Sequence, residues 1–318
     1  MPTEFELISK YFTRPPRHAL LGVGDDAALV AVRPGHELAA STDMLVEGVH
    51  FFADVSPLSL GHKALAVNLS DLAAMGAAPR WAMLALSLPA ADEEWVKDFA
   101  AGFFALAERH DVDLIGGDTT RGPRNICVQV MGEVEQGKAL RRDGAKPGDD
   151  VWVSGHLGDA AAAVAHRKGE LLLREPLLSH CMARLDRPNP RVELGGRLVG
   201  FASSAIDISD GLTGDLGHIC ERSRVGAEIS YAQIPCSAGL TPLRHHVHVM
   251  RSILAGGDDY ELCFTAAPGN QSGIDSLAAS LGLALTRIGR ITEGNSVTVL
   301  DEKGQPMRLQ EQGFDHFR

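Results

Sequence analysis

Aromatic residues are scarce in this chain. They make up 5% of 318 residues, with three tryptophans and three tyrosines. Alanine, leucine and valine must therefore fill most of the interior, and 45% hydrophobic residues is enough for a sizeable core. Cysteine is sparse as well. Cys127, Cys181, Cys220, Cys236 and Cys263 are odd in number, scattered and without a C-x-x-C pair. That argues against a disulfide framework or a structural zinc site and fits a reducing cytosol. Positive charge is in deficit, 30 Lys and Arg against 41 Asp and Glu, for a net charge of −11. A nucleic-acid backbone or an anionic membrane is a poor partner for such a surface. No apolar run approaches the roughly 20 residues that cross a bilayer. The acidic opening M-P-T-E-F-E-L-I also lacks the pattern of a secretion signal. A soluble, cytoplasmic protein is expected, with no nucleic-acid or membrane partner. Several catalytic signatures are missing too: the P-loop G-x-x-x-x-G-K-[ST], the protein-kinase set, the G-x-S-x-G elbow and the H-E-x-x-H zinc helix.

What is present is an alternation of short strands and helices. A short helix near Phe5–Phe12 ends at Pro15-Pro16. Strands are expected over 27–32, 37–41, 81–88, 114–117 and 125–133, and helices over 57–76 and 92–110. Ser56 caps the first of these helices, Pro57 suits its first turn, and Gly76 with Pro79 ends it. Trp95 and Phe99, spaced i, i+4, read as core. The polar stretch 137–150 is the best boundary, giving domains 1–137 and 138–318. Beyond it come strands at 151–154, 205–208, 260–265, 286–291 and 296–300, with helices at 212–223 and 274–281. The fold class is α/β (α+β) in two domains. No internal repeat is clear enough to name.

The aspartates carry the chemistry. Six segments place acids after an apolar run and a small residue: G-V-G-D-D-A-A-L (22–29), A-A-S-T-D-M-L (39–45), N-L-S-D-L-A-A-M-G (68–76), L-I-G-G-D-T-T-R-G (114–122), A-I-D-I-S-D-G-L (205–212) and L-A-G-G-D-D-Y-E-L (254–262). Carboxylates in buried-looking segments need partners, and Arg121 is the one cation within these six. Hard divalent cations shared with phosphate are the natural alternative. Turns and helix caps are the plainer explanation of any one segment. They suit G-G-D-D-Y but not Asp71, which falls inside a helix on the side of Asn68 and Met75. His50 reads either as a strand-end histidine or, near Asp43, as a substrate contact. Arg141, Arg142 and Lys146 form the densest basic spot, which reads either as a solvated linker or as a place where one arginine forks a phosphate. His245, His246 and His248 read as a surface feature rather than a metal site.

Taken in order, these segments resemble bacterial thiamine-monophosphate kinases over essentially the whole chain, from F-E-L-I-S-K-Y-F to G-F-D-H-F. N-L-S-D-L-A-A-M-G with G-G-D-T-T-R-G is the specific combination. The resemblance implies the fold of the aminoimidazole ribonucleotide synthetase superfamily: an N-terminal mixed sheet with helices, binding ATP and Mg²⁺ and pairing in a homodimer, and a C-terminal α/β domain completing the site. It implies Mg²⁺ ligands at Asp26, Ser41, Thr42, Asp43, Asp71, Asp118, Asp207 and Asp210, with Asp71, Asp118 and Asp210 central to catalysis. It implies ATP contacts at Gly117, Asp118, Arg142 and Ser209, and thiamine-phosphate contacts at His50, Asp258 and Phe314. Asp258 stands where relatives often have Glu. Asp25 is left open between a ligand and a structural partner. The implied reaction uses ATP to convert thiamine monophosphate to thiamine diphosphate and ADP, the last step in making that cofactor. Two other readings stay open: another enzyme of the superfamily, separated by a substrate screen, and a non-catalytic thiamine-phosphate binder, separated by binding without ADP release. Selenophosphate synthesis is disfavoured by the lack of an early Cys in a glycine-rich loop, and hydrogenase maturation by the lack of a C-terminal Cys.

Overall fold

The computed structural model describes residues 3–307 and divides into two compact units. One comprises residues 3–72 and 77–137, the other 73–76 and 138–307.

The first unit opens with α1 (Glu4–Leu7), closed by a capping box between Thr3 and Glu6 and running into a π-helical turn over Ile8–Phe12. Strands β1 (Ala19–Leu21) and β2 (Leu29–Val30) pair as a small ribbon. The expected strand over 27–32 is thus shorter. Strand β3 (His36–Val46) is longer than expected, because it pairs along its full length with β6. Helix α2 (Pro57–Ala74) starts where the Ser56 hydroxyl accepts the Ser59 N–H at 3.1 Å. Strand β4 (Ala78–Leu88) follows, then α3 (Glu93–Arg109), capped by Asp92 and acidic in its first turn. Strands β5 (Asp113–Arg121) and β6 (Asn125–Glu135) complete a four-stranded sheet ordered β3-β6-β4-β5. Only β4 and β5 run parallel, so the sheet is mixed.

Side chains alternate across this sheet. Ala82, Leu84, Leu86, Ile126, Val128 and Val130 are buried, together with Leu65, Leu69 and Leu72 of α2 and Phe99 and Phe103 of α3. Trp95 stacks on Phe99 at 5.2 Å between centroids but stays partly exposed. The helices cross at Gly61 and Gly102. A Cβ on either would lie 2.0 Å or less from a carbonyl of the other helix, so only glycine allows this approach. The other sheet face carries Leu38 and Met44, both about half exposed.

The second unit is built on a six-stranded sheet ordered β12-β9-β11-β7-β10-β8. Its strands are β7 (Asp150–Ser154), β8 (Ser204–Asp207), β9 (Gly226–Ser230), β10 (Leu262–Ala266), β11 (Leu285–Thr292) and β12 (Val297–Leu300). All neighbours are antiparallel except β9 with β12. Trp152 and Phe264 stack at 6.3 Å and join Ala205, Leu194 and Leu198 of α6 (Val192–Leu198), and Ile274 and Leu277 of α9 (Gln271–Leu281), in one core. Helix α7 (Leu212–Ser223) spans the residues expected from sequence. Helices α4 (Asp159–Arg167), α5 (Leu177–Asp186), α6 and α8 (Val247–Ala255), and strand β9, were not expected from the pattern of residues.

Candidate active site

In the first unit, α2 lies along the edge strand β3 and touches it through polar side chains. The Ser41 hydroxyl donates to Asp71 Oδ2 at 2.5 Å. The Asp43 N–H donates to Asn68 Oδ1 at 2.9 Å, and Asn68 Nδ2 donates to the Ala64 carbonyl at 3.0 Å. Lys63, 2% exposed, donates from Nζ to the His50 carbonyl at 3.3 Å. Ser41, Asp43 and Leu45 stand opposite Val130, Val128 and Ile126, on the helix-covered face. Thr42 does not join them. Its hydroxyl donates to the Val128 carbonyl at 3.1 Å and meets Cys127 Sγ at 3.5 Å, on the alternate face. Met75, expected beside Asp71, lies past the end of α2 and is exposed.

His50 ends the turn after β3. Its Nδ1 accepts the Val46 N–H at 3.0 Å, so the neutral ring carries its proton on Nε2. Asp25 and Asp26 sit on the connection between β1 and β2, where Asp25 Oδ1 accepts the Asp26 N–H at 2.9 Å. That gives Asp25 a local structural bond. Asp118 follows Gly117 on β5. Gly117 has φ +148°, and a Cβ there would lie 1.8 Å from the Leu84 carbonyl, so the G-G-D step requires glycine. One residue upstream, the register with β4 slips at Ile115, a bulge that re-aims the strand end.

The burial of these acids differs from the sequence expectation. Asp25, Asp26 and Asp118 are exposed, while Asp43 and Asp71 are partly buried. Asp43 and Asp118 are on opposite edge strands of the sheet, about 14 Å apart at three strand spacings. Among the described residues, no three His, Cys, Asp or Glu side chains converge to hold a metal ion by themselves.

In the second unit two loops clasp each other beyond the paired ends of β8 and β10. Asp207 ends β8 and is 4% exposed. Past it the ladder continues: the Tyr260 N–H donates to the Ile208 carbonyl at 2.8 Å and the Asp258 N–H to the Ser209 carbonyl at 2.9 Å. Asp258 and Tyr260 both have positive φ, +69° and +50°, and Tyr260 Oη donates to Asp258 Oδ1 at 3.2 Å. Four residues expected at the site, Asp207, Ser209, Asp210 and Asp258, are thereby brought together.

Residues that sequence reasoning missed hold this clasp. Asp215, in the first turn of α7, accepts the N–H groups of Asp210 and Gly211 at 3.1 and 3.0 Å. Burial, with the Asp210 charge adding, pushes its carboxyl up to about 7, while Arg142 acts in the opposite sense. Asp259 is buried and accepts the Gly158 N–H through both oxygens at 3.0 Å; burial holds its carboxyl well above the usual range. Glu261 is fully buried and takes Arg184 Nη2 at 2.9 Å, Arg191 Nε at 2.5 Å and the Ser154 hydroxyl at 2.6 Å. The available signal was Y-E-L: a charged residue opening the apolar run of β10 needs a partner.

Arg142 is exposed and, among the described residues, has no ion-pair partner, whereas Arg141 forks Asp143 at 2.9 and 2.6 Å. His245 and His248 approach Glu302 and Glu170 at 3.7 and 3.8 Å on the surface. Phe314, an expected substrate contact, lies outside the described residues.

Comparison with known proteins identifies the scaffold. Residues 24–134 match the N-terminal domain of AIR synthase related proteins, and residues 146–302 match the C-terminal domain. The chain is 45% identical to thiamine-monophosphate kinase of Escherichia coli (strain K12), over 99% of this chain and 98% of that protein. Among solved structures, thiamine-monophosphate kinase from Stenotrophomonas maltophilia K279a superposes with a TM-score of 0.85 at 49% identity, covering 95% of this chain and 96% of that one. AaThiL complexed with AMPPCP and TMP superposes with a TM-score of 0.78 at 33% identity, covering 93% and 92%. The chain belongs to the thiamine-monophosphate kinase family, built on the two domains of the AIR synthase related proteins.

Proposed function

We propose that this kinase transfers the γ-phosphoryl group of ATP directly to the phosphate of thiamine monophosphate, giving thiamine diphosphate and ADP, with Mg²⁺ held by its aspartates. One observation carries the reading: a relative alike over more than nine-tenths of both chains is complexed with AMPPCP, a nucleotide analogue, together with TMP.

The donor set fits Mg²⁺. Asp26, Asp43, Asp71, Asp118, Asp207 and Asp210 offer hard carboxylate oxygens, and Ser41 adds a hydroxyl beside Asp71. Thr42 fits through its main chain, since its hydroxyl is turned to the other sheet face. Among the described residues no three such side chains converge, so a Mg²⁺ ion held here would complete its shell with phosphate and water, the usual habit of Mg²⁺. Mg²⁺ held by these residues would supply positive charge against the two phosphorylated substrates and the transferring group.

The chain's own residues orient the reactants. Arg142, uncommitted beside the α7 start, grips an ATP phosphate, and Gly117, Asp118 and Ser209 line the nucleotide. His50 presents Nε2–H to the thiamine phosphate, with Asp258 and Phe314 as further contacts. A phosphate monoester has its second pKa near 6, so the attacking oxygen is already largely ionised at neutral pH. No general base is needed, and positioning does most of the work. In-line transfer is tested with ATP chiral at the γ-phosphorus: inversion is expected, and retention contradicts a single direct transfer.

A homodimer would cover the sheet face that carries Leu38 and Met44. Light scattering of the purified protein, and of Met44→Glu, tests this. Among the described residues no helix is long and apolar enough to cross a membrane.

A further inference from the structure

The contacts between α2 and β3 follow an order. Lys63 meets His50, Asn68 meets Asp43 and Asp71 meets Ser41, so the helix and the strand run in opposite directions. Three residues of helix rise about 4.5 Å and two of strand about 6.8 Å. Asp71 and Asn68 have the same reach, so their partners make up the difference, a side-chain hydroxyl at one rung and a backbone N–H at the next.

Asn68 is the middle rung and is 1% exposed. Its side-chain amide is matched at both ends. A backbone N–H can only donate, so the atom facing Asp43 is the oxygen, and the NH₂ end is left to donate back along the helix to the Ala64 carbonyl. That second bond satisfies the NH₂ end, and the oxygen is the end that acts on β3. β3 is an edge strand, so N–H groups that turn away from β6 are outside its ladder. The N–H of Asp43 is one that is taken up by a helix side chain instead.

We infer that Asn68 is a positioning residue for Mg²⁺: it fixes the backbone at Asp43, and with it the direction of the Asp43 carboxylate relative to Asp71 three residues along the same helix. The inference rests on the proposed metal role of Asp43. A structural role needs only an acceptor for the Asp43 N–H, whereas a role in aiming β3 shows in metal binding.

The test is a titration with Mn²⁺ in the presence of AMPPCP, counting free Mn²⁺ by electron paramagnetic resonance, on wild type, Asn68→Ala, Asn68→Asp and Asp43→Asn. Loss of an outer residue that orients a metal ligand weakens metal binding about 10- to 100-fold. Asn68→Ala is expected to show that loss. Asn68→Asp keeps an oxygen facing the Asp43 N–H and is expected to restore binding to within about threefold of wild type or tighter. A merely structural residue gives the opposite order, because Asn68→Asp buries a charge and loses the bond to Ala64, and so harms the fold more than Asn68→Ala does. That order overturns the proposal, as does unchanged Mn²⁺ binding in Asn68→Ala when Asp43→Asn is weakened. Unchanged binding in Asp43→Asn removes the metal reading of Asp43 and the proposal with it. Should Asn68→Ala not fold, the comparison of Asn68→Asp with wild type decides: weakened Mn²⁺ binding overturns the proposal.

Discussion

The Ser41 hydroxyl donates to Asp71 Oδ2 at 2.5 Å, tying an edge strand to the middle of a helix. An aspartate within a helix is not placed there by capping, and this one has a polar partner on a different element. Asp71→Asn keeps the shape and an acceptor for Ser41 but removes the charge. Turnover is expected to fall on the order of 100-fold or more, since a metal contributes several kcal/mol of charge stabilisation. Far-UV circular dichroism should be unchanged. Near-normal turnover at saturating Mg²⁺ removes Asp71 from the metal site.

Arg142 provides a second prediction. It lies close enough for its charge to act on Asp215, yet it is not consumed in an ion pair as Arg141 is. Arg142→Ala is expected to raise KM for ATP about 10- to 100-fold, the equivalent of one charge-assisted contact, with KM for thiamine monophosphate little changed. Steady-state kinetics with each substrate varied in turn checks this. An unchanged ATP dependence removes Arg142 from the nucleotide contacts.

Glu261 is a stability residue beside the candidate site. It is fully buried and neutralises both Arg184 and Arg191. Glu261→Ala leaves two guanidinium groups without their carboxylate and is expected to cost about 3–5 kcal/mol. Urea unfolding of the second unit's signal from Trp152 gives the value. A cost below about 1 kcal/mol would mean that the pair is worth no more than a surface one.

His110 gives a pH dependence. Burial, reinforced by the Arg109 and His62 charges, pushes it down to about 4. Its unfolded value is near 6.5. The folded pKa is depressed, so its contribution is fully present above about pH 6.5 and is lost as pH falls towards 4. His110→Gln removes that component. The stability difference between wild type and variant should shrink by about 1–2 kcal/mol between pH 7 and pH 4, a figure reduced for the ring's partial contact with water. A difference independent of pH contradicts the shift.

Much of the first unit was legible in the sequence. Ser56, Pro57 and Gly76 marked α2, because caps and breakers act locally, and the apolar spacing of Trp95 and Phe99 marked α3. The full length of β3 was not, since its last residues, including Asp43, become strand only by pairing with β6. In the second unit α4 has alanine at five of its nine positions, and α5 and α6 are short, so none shows a strong apolar period. Strand β9 is set by partners more than fifty residues away, at β11 and β12.

The candidate site was legible as a list of acids but not as an arrangement. Exposure of Asp26 and Asp118 follows from their place on a loop and at a sheet edge, which local sequence does not encode. The residues that hold the acids, Asn68, Asp215 and Glu261, act through contacts that only the tertiary fold creates. For Thr42 the period of two is the reason: its neighbours Ser41 and Asp43 share a face that it cannot reach.

The most direct test of the proposed reaction is a coupled assay of ADP release, with and without thiamine monophosphate, over a range of Mg²⁺ concentrations, with the product identified by chromatography. The expected result is thiamine diphosphate formed in step with ADP, and only when ATP, Mg²⁺ and thiamine monophosphate are all present. ADP release without thiamine diphosphate, or turnover unaffected by removing Mg²⁺ with a chelator, would contradict it.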